Sequence, residues 1–247
     1  MAEAIVFGLI ASSALLIGGV IGSYVTPPRQ VTGVLLAFAS GALFSALAFE
    51  LFTDAYEMGG AWRAGLGLLA GGATFVVVNT WLDSRVADSA KEDQREKVRD
   101  AAVPSGAVGF ALLAAVTLDG VPENLALGVA LVGDESPLTL LVAIFFSNLP
   151  ESLVGAVAMR EGGQSPRFAI GIWAICGFVL AAAVVLGRSL LSGAGEQTLA
   201  VCLAFAGGAV LASLADTLMP EAFEHGKPWN SFATGAGFFV SFMLAEG

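Results

Sequence analysis

Asp119-Gly-Val-Pro-Glu-Asn-Leu125 has a near twin further along the chain, Ser147-Asn-Leu-Pro-Glu-Ser-Leu153. Each lies inside a long apolar run, and each places a glutamate directly after a proline. A carboxylate deep in hydrocarbon costs several kcal/mol or more unless a cavity, a partner or an ion compensates it. Two carboxylates at matching depth on neighbouring antiparallel helices repel each other if both are ionised. A bound cation, or protonation, removes that conflict. The prolines add to the site, because Pro122 cannot donate to the carbonyl of Leu118, nor Pro150 to that of Phe146. Each helix is expected to kink there and leave a free carbonyl oxygen beside the carboxylate.

The composition agrees with a membrane setting. The chain is 56% hydrophobic and 13% charged, against about 25% charged in soluble domains. Its net charge is −10, with three Lys and eight Arg, which argues against nucleic acid as a partner. Cys176 and Cys202 lie in apolar runs and read as small buried hydrophobes.

Working outward from the twin motifs, spans are predicted at 4–25, 31–56, 62–82, 105–132, 137–159, 168–191, 198–220 and 230–246. Pro27-Pro28, Gly59-Gly60, Gly133-Asp134, Gly162-Gly163 and Gly226-Lys227-Pro228 supply the turns. Residues 83–104 hold six acidic and five basic side chains and are expected to be a solvated cytoplasmic loop, part helix and part disordered. The expectation is one all-α transmembrane domain over 1–247. With both termini outside, the inner side carries nine Lys and Arg and the outer side only Arg63 and Arg188. Seven or nine spans would break this pattern.

A second internal match supports the same architecture. Phe38-Ala-Ser-Gly-Ala42 pairs with Phe205-Ala-Gly-Gly-Ala209, Leu47-Ala48 with Leu214-Ala215, and Asp54-Ala-Tyr-Glu57 with Glu221-Ala-Phe-Glu224. The second and seventh spans run in opposite directions. The fold expected is therefore eight helices, with inverted three-helix repeats flanking a central pair, spans four and five. Such repeats with a midplane site mark many secondary transporters.

Helical spacing gathers more ligands around the glutamates. Asp119 and Glu123 share a face, as do Ser147, Asn148 and Glu151. The predicted metal set is Asp119, Glu123, Ser147, Asn148 and Glu151. It is rich in oxygen, so Zn, Cd, Mn and Fe stay open as substrate, with zinc first. Glu50, Asp54 and Glu57 near the outer end of span two, with Asp134, Glu135 and Glu246, are expected to concentrate cations at an entrance. Asp216, Glu221, Glu224 and His225 at the inner end of span seven form the expected exit. No organic cofactor is expected. No nucleophile can meet a histidine at mid-depth, since His225 is the only one, so an enzyme is not expected.

These motifs resemble the ZIP family of divalent-metal transporters, especially its prokaryotic members. The family's fourth-span His-Asn-x-Pro-Glu-Gly is similar to Asp119-Gly-Val-Pro-Glu-Asn124. Its Asn-x-Pro-Glu is similar to Asn148-Leu-Pro-Glu151, and its Asp-Glu-x-x-Pro-Glu to Asp216-Thr-Leu-Met-Pro-Glu221. The resemblance implies an eight-helix importer of divalent metal in a prokaryotic cell membrane, working as a homodimer by an elevator-like or rocking motion. The chain departs from the family in carrying Asp119 where the family has histidine and Gly120 where it has asparagine. Span six, at Gly171–Gly177, lacks the glutamate some members use for a second metal. A single site with shifted selectivity is the expectation. The rival readings are a proton-coupled carrier of another solute and a metal-binding sensor or scaffold that does not transport.

Overall fold

The computed structural model describes residues 1–97, 120–132 and 137–245. Among these every regular element is helical: α1 (Ala2–Tyr24), α2 (Arg29–Ala46), α3 (Phe52–Lys97), α4 (120–130), α5 (Leu138–Glu161), α6 (Pro166–Leu191), α7 (Glu196–Ser213), α8 (Met219–Gly226) and α9 (Asn230–Ala245). Five helical stretches are long and apolar enough to cross a membrane: Ala2–Tyr24, Arg29–Trp81, Leu138–Glu161, Pro166–Leu191 and Glu196–Gly226. Their outward faces carry large apolar side chains such as Leu9, Leu69, Phe178 and Leu190, the arrangement a lipid surround favours.

Arg29–Trp81 is 53 residues long. Straight, it would span about 80 Å, far beyond a hydrocarbon layer of about 30 Å. It is not straight. Gly60 breaks the helix at φ 72° and ψ 171°, a conformation open to glycine and little else. Both arms then run along α7. Gly207 packs on Leu47 while the adjacent Gly208 packs on the carbonyl of Leu68. Residues 21 positions apart can reach one turn of α7 only if the chain doubles back between them. The predicted separation of spans two and three at Gly59-Gly60 is thus visible as a reversal.

The segment 83–104 is expected to be helical in part, and its described residues are helical. Helix α3 continues to Lys97, because Ala, Lys, Glu, Gln and Arg there are good helix formers whether or not a membrane surrounds them. Residues 98–104 lie outside the described set. Between α5 and α6 the chain turns at Gly163, φ 85°. The Ser165 hydroxyl then accepts from the Phe168 N–H at 3.2 Å and caps α6, with Pro166 as its first residue.

Two five-residue π turns, Leu47–Leu51 and Leu214–Leu218, follow α2 and α7. Both α2 and α7 have 18 residues, and both turns follow at once. The bounds coincide at a constant offset, Arg29 with Glu196, Leu47 with Leu214, and Tyr24 with Leu191 at the ends of α1 and α6. Close packing keeps this offset for the α2 and α7 residues, and one residue less for their partners on α3 and α9. Gly41 lies on the carbonyl of Thr234 and Gly237 on that of Phe38; Gly208 lies on Leu68 and Gly71 on Phe205. α2 thereby packs on α9 as α7 packs on α3. Small residues let helix backbones approach closely, and dispersion then holds them without help from the hydrophobic effect.

A Cβ at Gly41 or Gly208 would strike backbone, which cannot yield as a flexible side chain can. Gly208→Val is expected to destabilise by at least the 1–3 kcal/mol typical of overpacking. Gly65→Ala, with open space around it, is expected to leave stability unchanged or raise it. Thermal unfolding of the purified variants in detergent checks both; a Gly208→Val protein as stable as the parent would contradict the packing described.

Candidate functional site

Helices α4 and α5 carry the two Pro-Glu turns and are held by different neighbours. α4 runs parallel to α6: Gly120 packs on Leu180, and Gly128 on the carbonyl of Val184. α5 runs parallel to α1: Gly18 packs on Leu149 and Ser152, and Gly22 on Leu153. α1 and α6 cross each other antiparallel, with Gly8 on Ala181 and Gly19 on Trp173. An ion pair from Glu3 to Arg188, 2.9 Å, ties one end of that pair.

Glu123 is only 4% exposed and Glu151 is half-buried. Both have partners. Gly155 lies against the Trp173 ring. One turn back along α5 is Glu151, and one turn forward along the antiparallel α6 is Cys176. Glu151 is within electrostatic range of that thiol. Gly120, three residues before Glu123, packs on Leu180, one turn of α6 beyond Cys176. The two Pro-Glu segments therefore reach neighbouring turns of one helix. Among the described residues no three His, Cys, Asp or Glu side chains gather within reach of one metal ion. Asp119, the fifth predicted ligand, lies outside the described residues.

The polar neighbours on α5 are buried and partly committed. The Ser147 hydroxyl donates to the Ile144 carbonyl at 3.0 Å. Asn148 donates its amide to the Ala11 carbonyl of α1 at 3.3 Å, which leaves its Oδ1 buried and unpartnered. Ser152 donates to the carbonyl of Asn148 at 2.8 Å. On α4, Asn124 does the equivalent, donating to the Gly120 carbonyl at 2.9 Å, and its Oδ1 is likewise unpartnered. Asn124 was not among the predicted ligands. Its signal was its place one residue after the Pro-Glu pair, where the twin motif has Ser152.

The predicted entrance residues occupy different roles. Glu50 sits in the first π turn and accepts from the Leu140 backbone N–H at 3.0 Å. α5 begins after Pro137, which offers no side-chain cap, so its first N–H groups lack partners. The Glu50 carboxylate supplies one and places negative charge at the positive end of the helix. Asp54 is exposed and lies within electrostatic range of Glu50, and Glu57 is exposed. Asp134, Glu135 and Glu246 lie outside the described residues.

The predicted exit residues divide. Asp216, in the second π turn, and Glu224 are exposed. Glu221 and His225, four apart on α8, line a cavity of about 240 Å³ together with Thr32 of α2 and Val154, Ala158 and Glu161 of α5. The His225 ring nitrogen Nδ1 is 3.1 Å from the Glu221 carbonyl. Val154, Ala158 and Glu161 follow Glu151 at three, seven and ten residues, which is one stripe of a helix. Leu153 and Val157 line it as well, so the cavity opens on a broad face of α5 that includes the stripe of Glu151. Glu161 was not predicted, although its spacing from Glu151 was legible.

No known family model and no characterised protein sequence matches the chain.

Loss of the Glu50 cap in Glu50→Ala is expected to cost about 1 kcal/mol and to loosen the first turn of α5. Faster amide hydrogen exchange confined to residues 138–141 is the expected readout. Exchange unchanged from the parent would remove Glu50 from this role.

Proposed function

We propose that the protein carries divalent metal cations, zinc first and Cd, Mn or Fe possible, across a membrane into the cytoplasm. The observation that carries this reading is Glu123. It is 4% exposed, it follows Pro122 in the first turn described for α4, and it has a twin in Pro150-Glu151. A carboxylate so placed is costly as mere structure, and intramembrane carboxylates mark ion pathways. The orphaned amide oxygens of Asn124 and Asn148 are neutral donors beside the two glutamates, and they suit a cation. The cavity along the Glu151 stripe gives an ion on that face a route toward Glu221 and His225.

In this reading the chain crosses the bilayer eight times, with inverted three-helix repeats about α4 and α5. The reversal at Gly60, the paired π turns and the matched glycine contacts support that count and that repeat. π turns often mark functional positions in helices. Likeness to the ZIP family in the Pro-Glu motifs supports importer over exporter, a prokaryotic cell membrane and a homodimer.

Proteoliposomes loaded with a metal-sensing dye test the reading. Zn²⁺ or Cd²⁺ influx by the parent, reduced by about 100-fold or more in Glu123→Gln and Glu151→Gln, is the expected result. That loss corresponds to about 2.7 kcal/mol of barrier. Proton flux without metal flux would favour a proton-coupled carrier of another solute. Metal binding with no flux would favour a sensor or scaffold. Asp119→His is expected to move preference toward zinc, because imidazole suits zinc better than a carboxylate does. An unchanged order in a Zn, Cd, Mn, Fe and Co panel would remove Asp119 from the site.

A further inference from the structure

Three helices converge where Glu151 meets α6, and the third is α1. Gly177 lies against Ser12, with its would-be Cβ 3.3 Å from the Ser12 carbonyl and 3.6 Å from the Ser12 Cβ. Asn148 reaches the neighbouring residue of α1, donating to the Ala11 carbonyl. Cys176 adjoins Gly177 and lies within electrostatic range of Glu151, near the α5–α6 contact made by Gly155 and Trp173. Ser12, Asn148, Glu151 and Cys176 therefore lie at a similar level of α1, α5 and α6, each on a helix that touches the other two.

Two of these groups are incompletely satisfied. The Ser12 hydroxyl, 6% exposed, has no hydrogen-bond partner. A helical serine ordinarily bonds back to the carbonyl one turn earlier, as Ser23 and Ser40 do in this chain. The Asn148 Oδ1, in a side chain 1% exposed, is also orphaned. A buried acceptor without a donor is unfavourable, and a cation is one group that removes that cost. Cys176 is a free thiol, 1% exposed. A thiol there adds a soft donor to a set otherwise made of oxygen.

We propose that Ser12, Asn148, Glu151 and Cys176 form a thiol-containing cation site between α1, α5 and α6, and that it takes a thiophilic divalent ion such as Cd²⁺ or Zn²⁺. The proposal rests on the reading of Glu151 as a cation-binding carboxylate, and it adds donors from two helices outside the central pair. The bound ion holds Cys176 as thiolate, with the displaced proton passing to solvent. Soft sulfur ligands then favour Cd²⁺ and Zn²⁺ over Mn²⁺. The site selects among the ions that the carboxylates alone would admit.

The full-length protein in detergent micelles is titrated with Cd²⁺ and, separately, Mn²⁺. Calorimetry reads binding, and ultraviolet absorption reads the thiolate-to-cadmium charge-transfer band. The expected result is saturable Cd²⁺ binding with a band that rises in step. Loss of even a supporting group at a metal site weakens affinity about 10–100-fold, so Cys176→Ser should lose the band and at least about tenfold in Cd²⁺ affinity. Mn²⁺ affinity should hold within about twofold. Cys202→Ser should keep the band. Cd²⁺ binding by the parent without a band, or a band that follows Cys202, overturns this proposal and leaves the Glu123 and Glu151 reading standing. Failure of the parent to bind either ion overturns both. Should Cys176→Ser not fold, protection of Cys176 by Cd²⁺ against a small methanethiosulfonate, mapped in the parent by mass spectrometry, decides: no protection overturns the proposal.

Discussion

A carboxylate held away from water must be compensated, and Glu123 sits under that constraint more tightly than any other acid described in the chain. Its neighbours along α4 are buried Ala126, Leu127 and Val129. The free energy needed to keep charge there exceeds what one hydrogen bond returns. The surrounding helices therefore have to bring polar groups inward, and they do. Asn124, Ser147, Asn148 and Ser152 are all buried, and they lie on the same two helices as the twin glutamates.

Those polar groups are held by backbone that approaches unusually closely. Glycines on α1, α6 and α4 let the helices that flank the Pro-Glu turns lie nearly in backbone contact. In a lipid surround no hydrophobic force drives helix against helix, so close packing and interhelical hydrogen bonds carry the association. The bond from Asn148 to Ala11 and that from Ser241 to Ala42, 3.0 Å, are of this kind. One consequence is that α1 and α6 become walls of the same polar interior that α4 and α5 furnish.

The first π turn joins the scaffold to the site. It aims Glu50 at the start of α5, so the helix that carries Glu151 is capped by a residue of the α2 segment. At the other end of α5 the cavity opens along the Glu151 stripe between α2, α5 and α8. One end of α5 is thus tied to α2 while the other borders open space. A shift of α5 against α2 would have to break the Glu50 cap, a discrete contact of the sort that makes two-state motion possible.

Much of this was legible in the sequence. Apolar runs and glycine turns gave the helices, because period and length are local properties. The twin Pro-Glu motifs pointed to the buried Glu123 and the half-buried Glu151, and the match of the second and seventh predicted spans pointed to two segments whose helix bounds coincide. The helical part of 83–104 was expected without bounds; propensity carries it through Lys97. Other features depended on neighbours distant in sequence. Glu50 was legible as an acid near the end of its span; that its carboxylate also caps α5 depends on the position of the α5 N-terminus. Cys176 is buried, as its apolar run implied; only the crossing of α5 and α6 at Gly155 and Trp173 brings it within electrostatic range of Glu151. Ser12 carried no signal at all, since a serine that fails to bond its own helix is recognised only once its surroundings are known. Sequence determined which segments are helical and which acids lie deep within them, since those follow from local pattern. Tertiary structure decided what each acid faces, since that depends on how closely glycines let the helices approach.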